Sequence, residues 1–207
     1  PRLNSATLGF RSYFKISNLS KLTFEYHHVK EDRRGGNLLD RPEHEADIAE
    51  SLKHKIDAGN IRWDYVSKNG RHFATTYASL QHIGRNSYFG TEKDPNAYGA
   101  SDDITAVAGG QYRYHMNKCL FMPADLSAGV EYSYNRLRDQ IMGYGRDLLQ
   151  NVHIYGGYVQ NEWKNKQVSF LVGVRAEKHS MLKNPIFSPR ANVRYTPIDE
   201  IVLRASY

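Results

Sequence analysis

The stretch HHVKE brings two imidazoles, His27 and His28, close to the carboxylate of Glu31. Imidazole nitrogens and carboxylate oxygens are common zinc ligands, so this stretch is a first candidate for a metal site. The surrounding residues alternate in polarity, which predicts a strand, and adjacent residues of a strand point to opposite faces. His27 and His28 are therefore badly placed to share one ion, and we expect no metal site here.

A second candidate is DPNAYG at Asp94–Gly99, which is followed by Asp102 and Asp103 and so concentrates the hard oxygen ligands that Ca²⁺ prefers. An EF-hand is excluded, because the fifth position of the loop is Tyr98 and the twelfth is Thr105 rather than Glu. A looser calcium site stays open. The pattern favours an ordinary turn-rich loop.

The sequence contains no nucleophile elbow, no glycine-rich phosphate loop and no H-E-x-x-H helix. We therefore predict no enzyme, no catalytic residue and no cofactor. The net charge is +6, but the 28 Lys and Arg are spread along the chain and cluster only at Lys30–Arg34, so a nucleic-acid partner is poorly supported. The single Cys119 excludes an internal disulfide and a cysteine-based zinc cluster.

Alternating polarity predicts about ten strands that would position these groups. They cover residues 7–17, 21–30, 46–66, 71–88, 103–116, 126–142, 152–163, 167–178, 188–196 and 201 onward. Tight and long connections follow one another in turn, as an up-and-down antiparallel sheet requires. The exception is Asn117–Asp125, which takes the place of a tight turn but has almost the length of a loop.

Each strand separates into an apolar and a polar face; for example, Val168, Phe170 and Val172 oppose Ser169 and Arg175. A membrane barrel and a soluble sandwich both produce this alternation. Two features favour the barrel: several strands reach the roughly 9–11 residues needed to cross a bilayer, and tyrosines gather near strand ends. These tyrosines are Tyr88, Tyr98, Tyr112, Tyr114, Tyr132, Tyr134 and Tyr144.

Residues 40–59 also fit an amphipathic helix, with Leu52 and Ile56 at helical spacing and Gly59 at a stop position. The clean alternation of Ile61, Trp63 and Tyr65 argues for a strand, and a β-bulge near 58–60 would explain the change of parity. Strand and helix both remain open for residues 43–57.

The chain has no initiator Met, no signal peptide and no apolar run near the ~20 residues of a membrane helix. We expect a processed or excised segment, in which any membrane crossing uses strands.

Three stretches resemble the TonB-dependent outer-membrane receptors, especially the siderophore and vitamin B12 receptors of Bacteroidetes. They are YGGYVQNEWKNKQVSFLVGVRAEKHS at 155–180, FSPRANVRYTPIDEIVLRASY at 187–207, and RRGGNLLD with HEADIAESLKHKI at 33–56. RNSYFGTEKDPNAYG at 85–99 resembles a strand top and its extracellular loop in the same group. In this family a barrel of about 22 strands encloses a plug. The resemblance implies that residues 1–207 are a partial barrel domain of about ten strands, without plug or TonB box, and it supports the strand at 43–57.

The resemblance also implies roles for the polar side chains. Candidates for lining the lumen are Arg62, Asp64, Arg113, His115, Glu131, Gln160, Glu162, Arg175, Glu177, Arg190, Arg194 and Arg204. Candidates for binding ligand in extracellular loops are Tyr88, Asp94, Asn96, Tyr98, Asp102 and Asp103. The implied function is import of a ferric siderophore or cobalamin across the outer membrane of a Gram-negative bacterium. The implied partners are outer-membrane lipid, the plug and remaining strands, the TonB complex and the chelate. The alternative is a secreted soluble β-sandwich or propeller segment that binds glycans.

Overall fold

The chain folds into one antiparallel sheet of ten strands that pair in chain order. The structure, a computed structural model, describes residues 1–207 apart from the side chain of Met142. The strands are β1 (Arg2–Ser17), β2 (Ser20–Gly36), β3 (Ile48–Val66), β4 (His72–Thr91), β5 (Tyr98–Cys119), β6 (Met122–Ile141), β7 (Arg146–Lys164), β8 (Val168–His179), β9 (Ile186–Ile198) and β10 (Ile201–Ser206). Two short 3₁₀ turns, Glu43–Glu45 and Met142–Tyr144, lie between strands. Among the described residues, helices of a length and hydropathy suited to crossing a membrane are absent.

Short and long connections alternate along the chain, which confirms the predicted up-and-down topology. The predicted loop at Asn117–Asp125 is wrong, because β5 continues to Cys119 and β6 begins at Met122. Leu120 adopts a φ of 61°, in the left-handed region, and this lets the chain reverse within two residues. We call the edge of the sheet with these tight reversals the short-turn end, and the opposite edge the long-loop end.

The segment with helical spacing is a strand from Ile48 onward, and its helical turn is limited to Glu43–Glu45. β3 pairs along its length with both β2 and β4, and these hydrogen bonds satisfy its backbone groups. Strand pairing therefore outweighs the local preference for a helix. The expected bulge near 58–60 is wrong, because Asn60 pairs in unbroken register with Glu25 and Ser79. The change of parity is real: Ile56 lies on the face opposite Ile61.

One face of the sheet carries apolar side chains that no second layer covers within the described part of the chain. We call it the apolar face and define it by Leu80, Val130 and Val172. Val130 is 70% exposed and Leu80 is 56% exposed. A soluble sandwich would bury this face against another sheet. The single sheet therefore excludes the sandwich as the fold of these residues and matches a segment of barrel wall.

Candidate functional site

All twelve lumen candidates lie on the face opposite Val130, which we call the polar face. Paired residues of neighbouring strands share a face, so the register can be followed across the sheet. Arg62 opposes Tyr77, Tyr77 opposes Gly109, and Gly109 opposes Glu131. The same row continues through Gly156 to Glu177 on β8, and Arg194 on β9 shares this face because it pairs with Ser169 of β8. The alternation of the sequence thus gathers the charged side chains of eight strands, β3 to β10, on one surface.

Many of these charges neutralise one another. Arg175 Nη2 lies 2.7 Å from Glu177 Oε1 and 3.9 Å from Glu131 Oε1. Arg62 Nη2 lies 2.8 Å from Asp64 Oδ1 on the same strand. Such pairs are partly exposed and contribute little to stability. Their effect is to hold long side chains against the sheet, which leaves a hydrated, polar wall.

A second group of ion pairs lies on the polar face near the short-turn end. Asp125 accepts a hydrogen bond from Lys164 Nζ at 2.6 Å and contacts His115 Nδ1 at 2.7 Å. Glu162 accepts a hydrogen bond from Ser169 Oγ at 2.7 Å. His115 and Glu162, both lumen candidates, are therefore engaged in cross-strand contacts that link β5 to β8.

Two tyrosines that the sequence reasoning missed cross the polar face. Tyr77 lies over Gly109 and donates its hydroxyl proton to Glu131, two strands away. Tyr158 lies over Gly129 and donates to Gln111 Oε1 at 3.2 Å. A glycine inside a strand often marks such a close approach. The glycines at 109 and 129 were the available signal, since each faces a tyrosine on a neighbouring strand.

A recess of about 390 Å³ opens on the polar face beside Tyr158. Its wall includes Arg62, Phe73, Arg113 and Gln160. The guanidinium carbon of Arg113 lies 4.2 Å from the centroid of the Phe73 ring, a cation–π contact that fixes the cation in place. The recess also contains Asp64, which pairs with Arg62, so it offers charged, amide and phenolic groups that suit binding of a polar surface.

Towards the long-loop end the polar face becomes partly apolar. Val29, Ile56 and Ile83 are directly opposite one another on three consecutive strands. One row higher, the Asp139 side chain is only 5% exposed and contacts Arg146 Nη2 at 2.6 Å and Arg85 Nη2 at 3.4 Å. Apolar surface with a few fixed charges is typical of small-molecule sites.

Two of the candidates for binding ligand in loops lie in a strand. Asp102 and Asp103 lie within β5 rather than in a loop, because its alternation extends back to Tyr98. Asp102 contacts His82 Nε2 at 2.7 Å, and Asp103 accepts a hydrogen bond from Asn135 Nδ2 at 2.8 Å. The two carboxylates point to opposite faces, so they cannot join one calcium site. Among the described residues there is no group of three His, Cys, Asp or Glu that could hold a metal.

Tyr88 and Asp94 are engaged within the fold. Tyr88 is 1% exposed and donates its hydroxyl proton to the carbonyl oxygen of Asp94 at 2.9 Å. Asp94 Oδ1 accepts a hydrogen bond from the backbone N–H of Asn96 at 2.8 Å, which stabilises the turn. Tyr88 is therefore a buried anchor of this loop, and the expected place of Tyr88 in an exposed aromatic girdle is wrong.

Residues 37–47 fold over the strand ends and form a small cap with Tyr88 and Tyr98. Tyr98 donates its hydroxyl proton to Glu43 Oε2 at 3.2 Å, and Lys53 Nζ lies 3.5 Å from Glu43 Oε1. Burial raises the pKa of Glu43. Hydrogen bonds from its own backbone, Ser51 and Tyr98, together with the charge of Lys53, outweigh this effect, so the pKa lies below its ordinary value of 4.5. The ionised carboxylate therefore stabilises the cap.

We expect the cap to loosen in acid. The contribution of Glu43 is present above its unfolded pKa near 4.5 and is lost as the pH falls through the lower folded value. The hydrogen-exchange protection of residues 37–47, which is the measured rate relative to the intrinsic rate at each pH, should fall below that pH in the full-length protein. In Glu43→Gln the protection should be lower at neutral pH and should not fall further in this range. An unchanged acid response in Glu43→Gln would contradict the assignment.

A comparison with protein-family models gives one match over almost the whole chain. The family described as "TonB dependent receptor-like, beta-barrel" matches residues 4–207. Among curated proteins, no sequence matches this chain.

Solved structures with the same fold were also found. The siderophore receptor PirA from Pseudomonas aeruginosa is 16% identical, with a TM-score of 0.76 over 99% of this chain and 32% of that one. BauA, the ferric preacinetobactin receptor from Acinetobacter baumannii, is 11% identical, with a TM-score of 0.64 over 99% of this chain and 39% of that one. The ferric citrate transporter FecA is 12% identical, with a TM-score of 0.62 over 99% and 35%. The chain thus spans about a third of the length of these proteins, and likeness at such low identity concerns the fold.

Proposed function

This chain belongs to the TonB-dependent receptor-like β-barrel family, and on that premise we propose that it forms part of an outer-membrane receptor that imports a scarce chelate. The observation that carries the proposal is the family match across residues 4–207. The ten-stranded sheet with one apolar and one polar face supports it. The family is one of receptors, so no catalytic residue is assigned.

In this proposal residues 1–207 are a partial barrel domain whose apolar face meets outer-membrane lipid. β1 and β10 each pair with one neighbour within the described residues. An open strand edge is unfavourable in lipid, where backbone groups find no other hydrogen bonds. The remaining strands of the full-length receptor would therefore complete the ladder on both sides.

The polar face would line the lumen and contact the plug. The twelve lumen candidates share this face, and the recess beside Arg113 and Phe73 provides fixed groups near the short-turn end. Energy for uptake would come from the TonB complex through a region outside these residues. The long loops would face the cell exterior, and the localisation would be the outer membrane of a Gram-negative bacterium.

The cargo would be a ferric siderophore, with cobalamin as the second candidate. The apolar row of Val29, Ile56 and Ile83, next to Arg85 and Arg146, supports a chelate that has both apolar and anionic parts. PirA is named as a siderophore receptor and BauA as a ferric preacinetobactin receptor. Asn96 lies in the loop of residues 92–97 and Tyr98 directly follows this loop. Both would make the first contacts with the chelate.

The test is uptake by cells that express the full-length receptor. We expect accumulation of ⁵⁵Fe from at least one ferric siderophore, or of labelled cobalamin, and loss of this accumulation when TonB is deleted. Failure of every chelate tested to accumulate in a TonB-dependent manner would contradict the proposal.

Arg113→Ala should lower the uptake rate, because it removes the cation held over Phe73 on the lumen wall. Lys118→Ala is the matched control, since Lys118 is an exposed cation on the short-turn edge of the same strand. Uptake by Lys118→Ala should equal that of the wild type at equal surface expression. Equal uptake by both variants would remove Arg113 from the transport path.

A further inference from the structure

A second recess opens on the polar face, next to the recess of about 390 Å³ described above. Its volume is about 260 Å³, and its polar wall is formed by Tyr158, Gln160, Arg175 and Arg190. Gln160, Gly173 and Arg190 lie directly opposite one another on β7, β8 and β9. Because Gly173 has no side chain, the recess stays open between the amide of Gln160 and the guanidinium group of Arg190.

The wall of this second recess contains two guanidinium groups and no carboxylate. Arg175 Nη2 lies 2.7 Å from Glu177 Oε1, which partly neutralises its charge. Among the described residues, Arg190 has no carboxylate oxygen within 4.0 Å. With its amide oriented to satisfy both of its neighbours, Asn192 accepts a hydrogen bond from Arg190 Nε at 2.9 Å. The two terminal nitrogens of Arg190 remain to bind an anion.

The first recess also contains a cation of this kind. Arg113 lies on the same row of paired residues as Arg190, four strands away, so their Cα atoms are about 19 Å apart along the sheet. Within the described part of the chain, Arg113 has no carboxylate oxygen within 4.0 Å. The Asp64 carboxylate in this recess contacts Arg62 Nη2 at 2.8 Å and accepts a hydrogen bond from Thr75 Oγ1 at 2.8 Å. Each recess therefore contains one cation without a counter-ion.

Neutral groups hold both of these cations in place. Arg113 lies against the Phe73 ring, and Arg190 donates to the Asn192 amide. Both arginines are exposed. A buried cation needs a permanent counter-ion because its desolvation is costly, whereas an exposed cation does not. The two arginines are thus stable without an anion, which suits an occupant that binds and leaves.

The two recesses lie nearer the short-turn end than the long-loop end. Arg113 is six residues from the Cys119 end of β5 and fifteen residues from its Tyr98 end. Further positive charge lies towards the short-turn end, where Arg194 and Arg204 are directly opposite each other on β9 and β10. In the proposed barrel the long loops face the cell exterior, so these cations line the exit side of the lumen.

We propose that the two recesses form an anion site on the exit side of the lumen, which binds carboxylate groups of the chelate as it passes towards the periplasm. Guanidinium groups bind carboxylates through two parallel, charge-assisted hydrogen bonds. The second recess, at about 260 Å³, is smaller than the roughly 300–1,000 Å³ of a site for a whole small molecule. It therefore takes one anionic arm, while the rest of the chelate stays in the lumen.

This inference rests on the proposed function, because it requires that the polar face lines a lumen. It adds the chemical class of the cargo, a ferric chelate with carboxylate arms, and a second place where the cargo binds. That place is distinct from the long loops, where we expect the first contacts. A carboxylate of the plug has the same chemistry, so the experiment must distinguish the two sources.

The first test measures the reactivity of individual arginines in the full-length receptor in nanodiscs. Phenylglyoxal modifies free guanidinium groups, and peptide mass spectrometry gives a labelling rate for each arginine. The probes are citrate, which is a tricarboxylate, and its uncharged triethyl ester. Arg41, an exposed residue in the loop between β2 and β3, is the internal control.

At a citrate concentration ten times its dissociation constant, labelling of Arg113 and Arg190 should slow about tenfold, whereas labelling of Arg41 should not change. The triethyl ester should protect neither arginine. Equal protection by the ester, or no protection by citrate, would overturn the proposal. Slow labelling of both arginines without a probe, unchanged by citrate, would show that a plug carboxylate occupies the recesses permanently, and would also overturn it.

The second test uses Arg190→Gln in cells that express the full-length receptor. Uptake of ferric citrate, or of another ferric chelate with carboxylate arms, should be about tenfold slower, because a charge-assisted hydrogen bond is lost. Binding of the same chelate at the cell surface should not change, since capture occurs at the long-loop end. Lys166→Gln removes an exposed cation in the turn between β7 and β8 and should change neither quantity.

Unchanged uptake by Arg190→Gln, or weaker surface binding, would contradict a site on the exit side. A wild-type receptor that accumulates only chelates without carboxylates would contradict the cargo class. The labelling experiment needs no transport, so failure of this inference can be distinguished from failure of the proposed function.

Discussion

Val172→Arg is expected to destabilise the full-length receptor by about 2–4 kcal/mol, because it places a charge in the middle of a lipid-facing strand. Val172 lies on the apolar face of β8 between Phe170 and Val174, and it is exposed in the sheet. In a membrane the exposed side chain contacts acyl chains, which cannot solvate a guanidinium group. The free energy of unfolding, measured by urea titration of the receptor in lipid vesicles, should fall by this amount.

Leu171→Arg is the matched control, since Leu171 is the preceding residue of β8 and points to the polar face. It pairs with Glu162 on one side and Asn192 on the other, so an arginine there has a carboxylate and an amide beside it. We expect a much smaller change in unfolding free energy than for Val172→Arg. If the two variants unfolded alike, or if Leu171→Arg were the less stable one, the assignment of the two faces would be wrong.

The order of the strands and the separation of faces could be predicted from the sequence, because both follow from local alternation. Val130 and Glu131 show this, since adjacent residues of one strand supply opposite faces. The boundaries were harder to predict where polarity changes within a strand. β5 begins at Tyr98, whereas the predicted start at residue 103 left Asp102 in a loop and Asp103 at the very end of the strand. Small residues such as Gly99 and Ser101 weaken the alternation there without ending the ladder.

The bulge expected near residues 58–60 failed for a related reason. Sequence reasoning assumed that apolar side chains stay on one face for the length of a strand. In β3 the apolar side chains move from Ile61, on the apolar face, to Ile56, on the polar face, with unbroken pairing. In the proposed barrel this change is expected where a strand extends beyond the membrane, since the outer surface then meets headgroups and water. Lys55 lies on that outer surface, next to Ile56.

Contacts between strands two positions apart could not be predicted, because they depend on the tilt of side chains across a glycine. Tyr77 and Glu131 lie 54 residues apart in the sequence. Their contact exists because Gly109, on the strand between them, leaves room for the ring. A sequence without partner assignments gives only the glycine and the tyrosine, and neither indicates the other.

Gly109→Ala is expected to destabilise the receptor by about 1–3 kcal/mol through overpacking. A Cβ at this position would lie 2.7 Å from the Tyr77 hydroxyl oxygen and 2.9 Å from the carbonyl oxygen of Val130. The ring would have to leave its place, and its hydrogen bond to Glu131 would be lost. Gly84→Ala in β4 is the same chemical change at a site with open space, where nothing lies within 4 Å of the new Cβ. It should be neutral or slightly stabilising, because alanine has less conformational entropy to lose in the unfolded chain.

A double-mutant cycle separates the crossing of Tyr77 from general intolerance at Gly109. Tyr77→Ala removes the ring, so Gly109→Ala should cost less in that background than in the wild type. The remaining cost would reflect the Val130 carbonyl, which the alanine still approaches. Urea unfolding of the four proteins gives the coupling energy directly. A coupling energy of zero would mean that Tyr77 does not occupy the space above Gly109 in the assembled barrel, and the polar face would then be less tightly packed than the sheet implies.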